Sequence, residues 1–186
     1  MHFFIKVLTA LLLVISINTV QADQTKPELG KLFNALRESD NLIEIGEIQN
    51  KIWSHWYELP QHALPLQSVF DRGVKALQIG QTQDAITQFN RVIEAAPTFA
   101  EAWNRRATTF FVLGEFESSL LDIQQTLILE PRHFGALGGL SMIFETNKRY
   151  ERAIQAEQQL LKLMPNNELI EKRIQQLQDK VLKSGI

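Results

Sequence analysis

Pro97, Pro131 and Pro165 stand 34 residues apart, and other residue types recur between them in the same register. A unit of that length holds two helices joined by a turn, and it cannot bury its apolar face alone. It has to stack on copies of itself. The interval therefore predicts an all-α solenoid, and a chain that presents a groove as a binding scaffold.

The start of the chain follows a different pattern. Residues 1–22 read MHFFIKVLTALLLVISINTVQA, with Lys6 ahead of an apolar run from Val7 to Ile17 and small residues spaced as Val20-Gln21-Ala22. This is the layout of a secretory signal peptide cleaved after Ala22. The run is short for a membrane span, which needs about 20 apolar residues. Cleavage is the reading adopted, with no span afterwards and a periplasmic or secreted product. The alternative is an uncleaved segment that anchors the chain to the inner membrane.

The remaining chain from Asp23 suits one domain. The formal charge of −2 becomes −3 without Lys6, with acids and bases interspersed. Nucleic acid is disfavoured as a partner. The chain has no cysteine, which excludes disulfides, cysteine catalysis and a lipid-modified N-terminal cysteine.

From Leu66 onward the apolar residues fall at helical spacings of three and four. Phe70, Gly73, Val74 and Leu77 form one face up to Gly80, and Ala85, Phe89, Val92 and Ile93 form the next. Trp103, Ala107, Phe110 and Phe111 run to Gly114, then Leu120, Ile123, Leu127 and Leu129 to Pro131. Leu137, Leu140, Ser141 and Phe144 run to Lys148, then Ala153, Leu160 and Leu163 to Pro165. Glycine closes the first two turns, and Asn147 is expected to replace it in the third. Thr98 with Glu101 reads as a capping box opening the second repeat.

These residues resemble the tetratricopeptide repeat family. Its pattern is met by Val69, Gly73, Gly80, Ala85, Phe89 and Pro97, then by Trp103, Ala107, Gly114, Ser119, Ile123 and Pro131. The third copy holds Leu137, Ser141, Lys148, Ala153, Glu157 and Pro165, where Lys148 and Glu157 depart from it. The resemblance implies a right-handed α-solenoid with repeats at 66–99, 100–133 and 134–167, followed by a capping helix and tail at 168–186.

Residues 23–65 precede the repeats as two helices, about 26–38 and 42–58, and a linker with Pro60 and Pro65. Thr25 with Glu28 and Asn41 with Glu44 offer capping boxes. The hairpin is expected to stack on the solenoid as a degenerate repeat, since lone hairpins bury too little. A flap over the groove is the alternative.

No phosphate loop, zinc motif, nucleophile elbow or calcium loop occurs, so the chain is read as noncatalytic and without a cofactor. His55, His62 and His133 are scattered, and a metal needs three or four convergent ligands. Arg106 is read as a structural partner of Asp122 across the second hairpin.

The resemblance also implies that the first helix of each repeat lines a concave binding face. The corresponding residues are Phe70, Val74 and Leu77, then Asn104, Thr108 and Phe111, then Gly135, Gly138 and Met142. One subgroup of the family clamps a peptide's terminal carboxylate with basic and amide side chains, which Phe70 and Val74 do not supply. An apolar face with glycines suits a hydrophobic peptide or an amphipathic helix. The same face or the end of the stack could instead be filled by this chain or by a second copy, as a homodimer.

Overall fold

The computed structural model describes residues 27–184. The leader of residues 1–22 and the Thr25 cap lie outside them. The described residues form nine α-helices and one 3-10 segment. They are α1 (Pro27–Glu38), α2 (Leu42–Trp56), the 3-10 helix Gln61–Leu66, α3 (Gln67–Gln78), α4 (Thr82–Ala95), α5 (Ala100–Val112), α6 (Phe116–Leu129), α7 (Phe134–Thr146), α8 (Tyr150–Leu163) and α9 (Glu168–Ser184). None is long and apolar enough to cross a membrane.

The repeats pair as α3–α4, α5–α6 and α7–α8, and each pair stacks on the next through α4–α5, α6–α7 and α8–α9. This is an α-solenoid of helical repeats. Each pair closes at a small residue of its first helix, where the partner helix comes nearest. A Cβ on Gly73 would sit 2.7 Å from Phe89 Cε1. Ala107 and Ile123 share an apolar cluster at the same register. In the third pair the Ser141 hydroxyl instead donates to Glu157 at 2.6 Å, both buried. The departure at Glu157 is thus met by a complementary departure opposite it.

Gly80 and Gly114 take φ of 77° at the turns. In the third turn the left-handed residue is Lys148, at φ 57°, and not Asn147, which holds φ −84°. The Asn147 side chain donates to the carbonyl of Ile143 at 3.0 Å, and Asn147 holds the C-cap place that Leu113 holds in the second repeat. Lys148 thus stands in register with the two glycines.

The Thr98–Glu101 capping box does not form. Phe99 caps α5 without a side-chain bond, because its ring is buried against Phe70 in the first repeat's core. Glu101 is freed for another role. At α2 the Asn41 side chain accepts from the backbone of Ile43 and Glu44, as a cap should, while Glu44 accepts from Ser39 and not from Asn41.

The hairpin α1–α2 does not stack ahead of α3. That place is taken by the 3-10 helix, which packs on α3 and α4 with Ala63 in the core beside Leu59 of the preceding residues. In the sequence this segment looks like an irregular linker because its two prolines hide a short turn. The hairpin lies on the third repeat instead. Leu29, Phe33, Leu36, Ile45, Ile48 and Ile52 share one core with Leu137, Leu160 and Met164. Gln49 donates to Met164 Sδ at 3.3 Å, and Asn166 to the Ser39 carbonyl at 3.3 Å.

At the far end α9 covers α8 with Ile170, Ile174 and Leu177. Glu145 of α7 pairs with both Arg173 and Lys180 of α9, and Arg173 also lies 3.7 Å from Glu157. Burial pushes the Glu145 carboxyl up, but hydrogen bonds from Lys180 and Arg173 and their charges outweigh it and hold the carboxyl below its ordinary value of 4.5. A depressed folded value contributes stability that is complete above 4.5 and lost as pH falls through the folded value. Unfolding should therefore become easier on acidification below that value, and Glu145→Gln should flatten this acid limb in melting curves taken across pH.

A lysine in the left-handed region costs about 1 kcal/mol relative to glycine. Lys148→Gly should raise stability by about that amount, read as a higher urea midpoint with an unchanged slope.

Candidate functional site

The hairpin is held to the solenoid by aromatic rings around a buried carboxylate. Trp53, Trp56 and Tyr57 lie at helical spacings of three and four at the end of α2, so all three face the same way. Trp56, fully buried, stacks on His133 with centroids 4.1 Å apart and planes 11° apart. Trp53 meets His133 and Phe134 edge to face at 5.4 and 5.2 Å. The Arg105 guanidinium lies 5.2 Å from the Trp53 ring and 4.9 Å from Tyr57.

At the centre is Glu101, with no exposed surface. Its Oε1 accepts from Arg105 Nε at 2.5 Å, and its Oε2 accepts from Asn104 Nδ2 at 3.1 Å. His133, the N-cap of α7, accepts the Ala136 N–H at Nδ1, 3.1 Å away. That leaves Nε2 to carry the proton and donate to Glu101 Oε2 at 2.9 Å. A buried carboxylate is tolerable only with its lone pairs met, and here they are. Burial pushes the Tyr57 phenol above its ordinary range, with Arg105 opposing and Glu101 adding to the shift.

Beside this cluster the concave face keeps an opening. A cavity of about 230 Å³ lies between α5 and α7. Asn104, Thr108, Phe111, Gly135, Gly138 and Met142, six residues expected on the concave face, all line it. Ala107, Ser119, Ile123, Phe134 and Gly139 complete the wall. Its polar donors are already engaged: Asn104 donates to Glu101, Thr108 to the Asn104 carbonyl and Ser119 to the Ala107 carbonyl. No charged residue lines it.

The first repeat contributes nothing to this cavity. Phe70 is fully buried against Tyr57, Phe89 and Phe99 and is a core residue. Val74 and Leu77 pack on the same core, half-buried. The two glycines also differ in what they do. A Cβ on Gly135 would meet Trp53 Cη2 at 2.7 Å, so this glycine seats the hairpin, whereas a Cβ on Gly138 would meet nothing within 4 Å and borders open space.

Repeat spacing does not point to the cluster of Glu101, Arg105, His133 and Trp53. The available signal is three large aromatics on one stripe of α2, more than a two-helix hairpin can cover by itself. Arg106 does pair with Asp122, through Nε–Oδ2 at 2.7 Å and Nη2–Oδ1 at 2.8 Å, with Nη1 donating to Asn90 at 2.6 Å. Among the described residues no three His, Asp or Glu side chains are grouped as a metal ion would need.

The Tetratricopeptide repeat family matches residues 70–128 and 105–168. The chain belongs to that family. Tetratricopeptide repeats are protein-interaction scaffolds. A TPR repeat-containing protein of Rhizobium etli is 29% identical over 156 residues, spanning 84% of this chain and 76% of the relative. The first TPR of Spaghetti (RPAP3), bound to an HSP90 peptide, has the same fold with a TM-score of 0.59 at 21% identity, covering 66% of this chain and 94% of that one. The TPR2B domain of yeast Sti1, in complex with an Hsp70 peptide, gives 0.56 at 18% identity, covering 64% and 97%.

The two glycines of this tetratricopeptide repeat groove give a paired test. Gly135→Ala should destabilise by about 1–3 kcal/mol, because the added methyl displaces Trp53 from its contacts with Trp56, Tyr57, His133 and Phe134. Gly138→Ala should be neutral or stabilise by up to about 1 kcal/mol, since it only removes helical glycine entropy. Chemical denaturation of the two variants reads the contrast.

Proposed function

We propose that this chain is a noncatalytic scaffold of the bacterial cell envelope that binds a protein or peptide through the concave face. The observation that carries the reading is the apolar cavity between α5 and α7, about 230 Å³ and without a charged wall. An apolar cavity of about 150 Å³ accepts a benzene ring, so this one has room for a leucine or phenyl side chain. The ligand it fits is a hydrophobic segment or amphipathic helix that inserts one such anchor among Phe111, Gly138 and Met142.

The absence of charge along the wall argues against recognition of a terminal carboxylate. The envelope assignment rests on the leader at residues 1–22 and on a bacterial relative that aligns over most of the chain.

Crosslinked pulldown from the native envelope tests the reading with three variants. Phe111→Glu and Met142→Lys place a charge on the wall, and Gly138→Leu fills the cavity from a position with open space above it. All three should lose the same partner by at least about tenfold, the effect of 1.4 kcal/mol, with melting preserved. Retention of that partner by all three overturns the concave-face reading. Fractionation with N-terminal sequencing should find the chain starting at Asp23 in the periplasm. An intact leader in the inner membrane supports the anchored form instead, and a cytoplasmic chain overturns the envelope assignment.

A further inference from the structure

The cavity between α5 and α7 shares three of its lining residues with the seat of the hairpin. Asn104 donates to Glu101 in the cluster that α2 covers, and Gly135 leaves the space that Trp53 fills. The Phe134 ring lies 5.2 Å from Trp53 and 4.7 Å from Trp56. The first turn of α7 thus touches the hairpin and borders the cavity at once.

Phe134 is the residue on which the two depend together. It is buried in the core that the hairpin shares with the third repeat, and the hairpin supplies both indoles that cover it. Withdrawal of α2 would leave a phenyl ring facing water on that side, next to an apolar cavity of about 230 Å³. Such a cavity has room for a phenyl group. A ring uncovered in this way is driven towards the nearest space that excludes water.

We propose that the docked hairpin keeps the cavity open by holding Phe134 out of it, so that hairpin docking and occupation of the cavity favour one another. This rests on the reading of the cavity as a ligand site. With α2 in place, ring contacts on the hairpin side keep Phe134 at the wall. With α2 lifted, the ring turns inward and takes the place of a ligand's apolar anchor. Phe134 is thereby a positioning residue, through which Trp53 and Trp56 act on a site that neither lines. A ligand that binds the docked form better shifts the chain towards it, and the coupling is reciprocal. Trp56 reports the docked form directly. It is fully buried, and its Nε1–H has no acceptor among the described residues, so that hydrogen exchanges with water only when the hairpin lifts.

Benzene serves as the probe of the cavity in the purified protein, followed by the amide resonances of Gly138 and Gly139, which should shift saturably. Ile48 lies in the core between the hairpin and the third repeat and does not line the cavity. Ile48→Asp buries a charge without a partner, so it should undock α1–α2 and weaken benzene binding by about fivefold or more. In the Phe134→Ala background the same substitution should change the affinity by less than about twofold, since no ring is left to fill the cavity. A hairpin with a merely structural role would give the same loss in both backgrounds. In the unsubstituted protein, saturating benzene should slow exchange of the Trp56 indole hydrogen by about fivefold or more. That hydrogen should still exchange faster than the Val92 amide in the first repeat's core, the mark of a hairpin that opens on its own. This measurement decides the matter even if Ile48→Asp fails to fold. The proposal is overturned if the protein takes up no benzene, if benzene leaves Trp56 exchange unchanged, or if Trp56 exchanges as slowly as Val92. It is equally overturned if Ile48→Asp leaves benzene binding intact or costs as much without Phe134 as with it. The concave-face reading fails separately, through the partner retained by Phe111→Glu, Met142→Lys and Gly138→Leu, none of which enters the benzene cycle.

Discussion

A carboxylate removed from water has to find its partners inside the protein, and the structure is arranged around meeting that demand at Glu101. Arg105 and Asn104 reach it from its own helix and His133 reaches it from the next repeat. The partners then bring their own neighbours: Arg105 lies between Trp53 and Tyr57, and His133 stacks on Trp56. One buried charge thereby joins the second repeat, the third repeat and the N-terminal hairpin. Removing such a charge's partners costs far more than the pair contributes on its own, which makes this cluster a condition for the hairpin's position.

The hairpin's position decides what is left of the concave face. With Trp53 seated against Gly135 and Tyr57 against Phe70, the hairpin covers part of the surface at those two places. An opening survives between α5 and α7, where Gly138 has no side chain to fill it. The same helices that the repeat pattern assigns to ligand binding are thus divided, part serving as a seat for the chain itself and part remaining open.

Equivalent positions of the three repeats solve the same packing problem with different chemistry. The close approach is glycine against an aromatic ring in the first pair, alanine beside isoleucine in the second, and a serine–glutamate hydrogen bond in the third. The left-handed turn is glycine twice and lysine once. A repeat register dictates geometry at each place, and any side chain that satisfies that geometry can stand there. Differences between repeats are consequently informative about surfaces, because an exchange such as Arg106 for Leu140 changes what faces solvent without changing the fold.

The 34-residue interval and the helical spacings determined the stacked helical pairs, their two glycine turns and the Arg106–Asp122 bridge, while the residues between α5 and α7 were implied by the resemblance to the tetratricopeptide repeat family. The former follow from patterns within one repeat, which are local properties of the chain. Tertiary structure alone decided that the hairpin lies on the third repeat, that Phe70 is core, that Thr98 is not a cap and that Glu101 is a hub. Each of those outcomes depends on contacts between residues far apart in the chain, such as Trp56 with His133, and no local pattern states which of several apolar faces an unattached hairpin will cover.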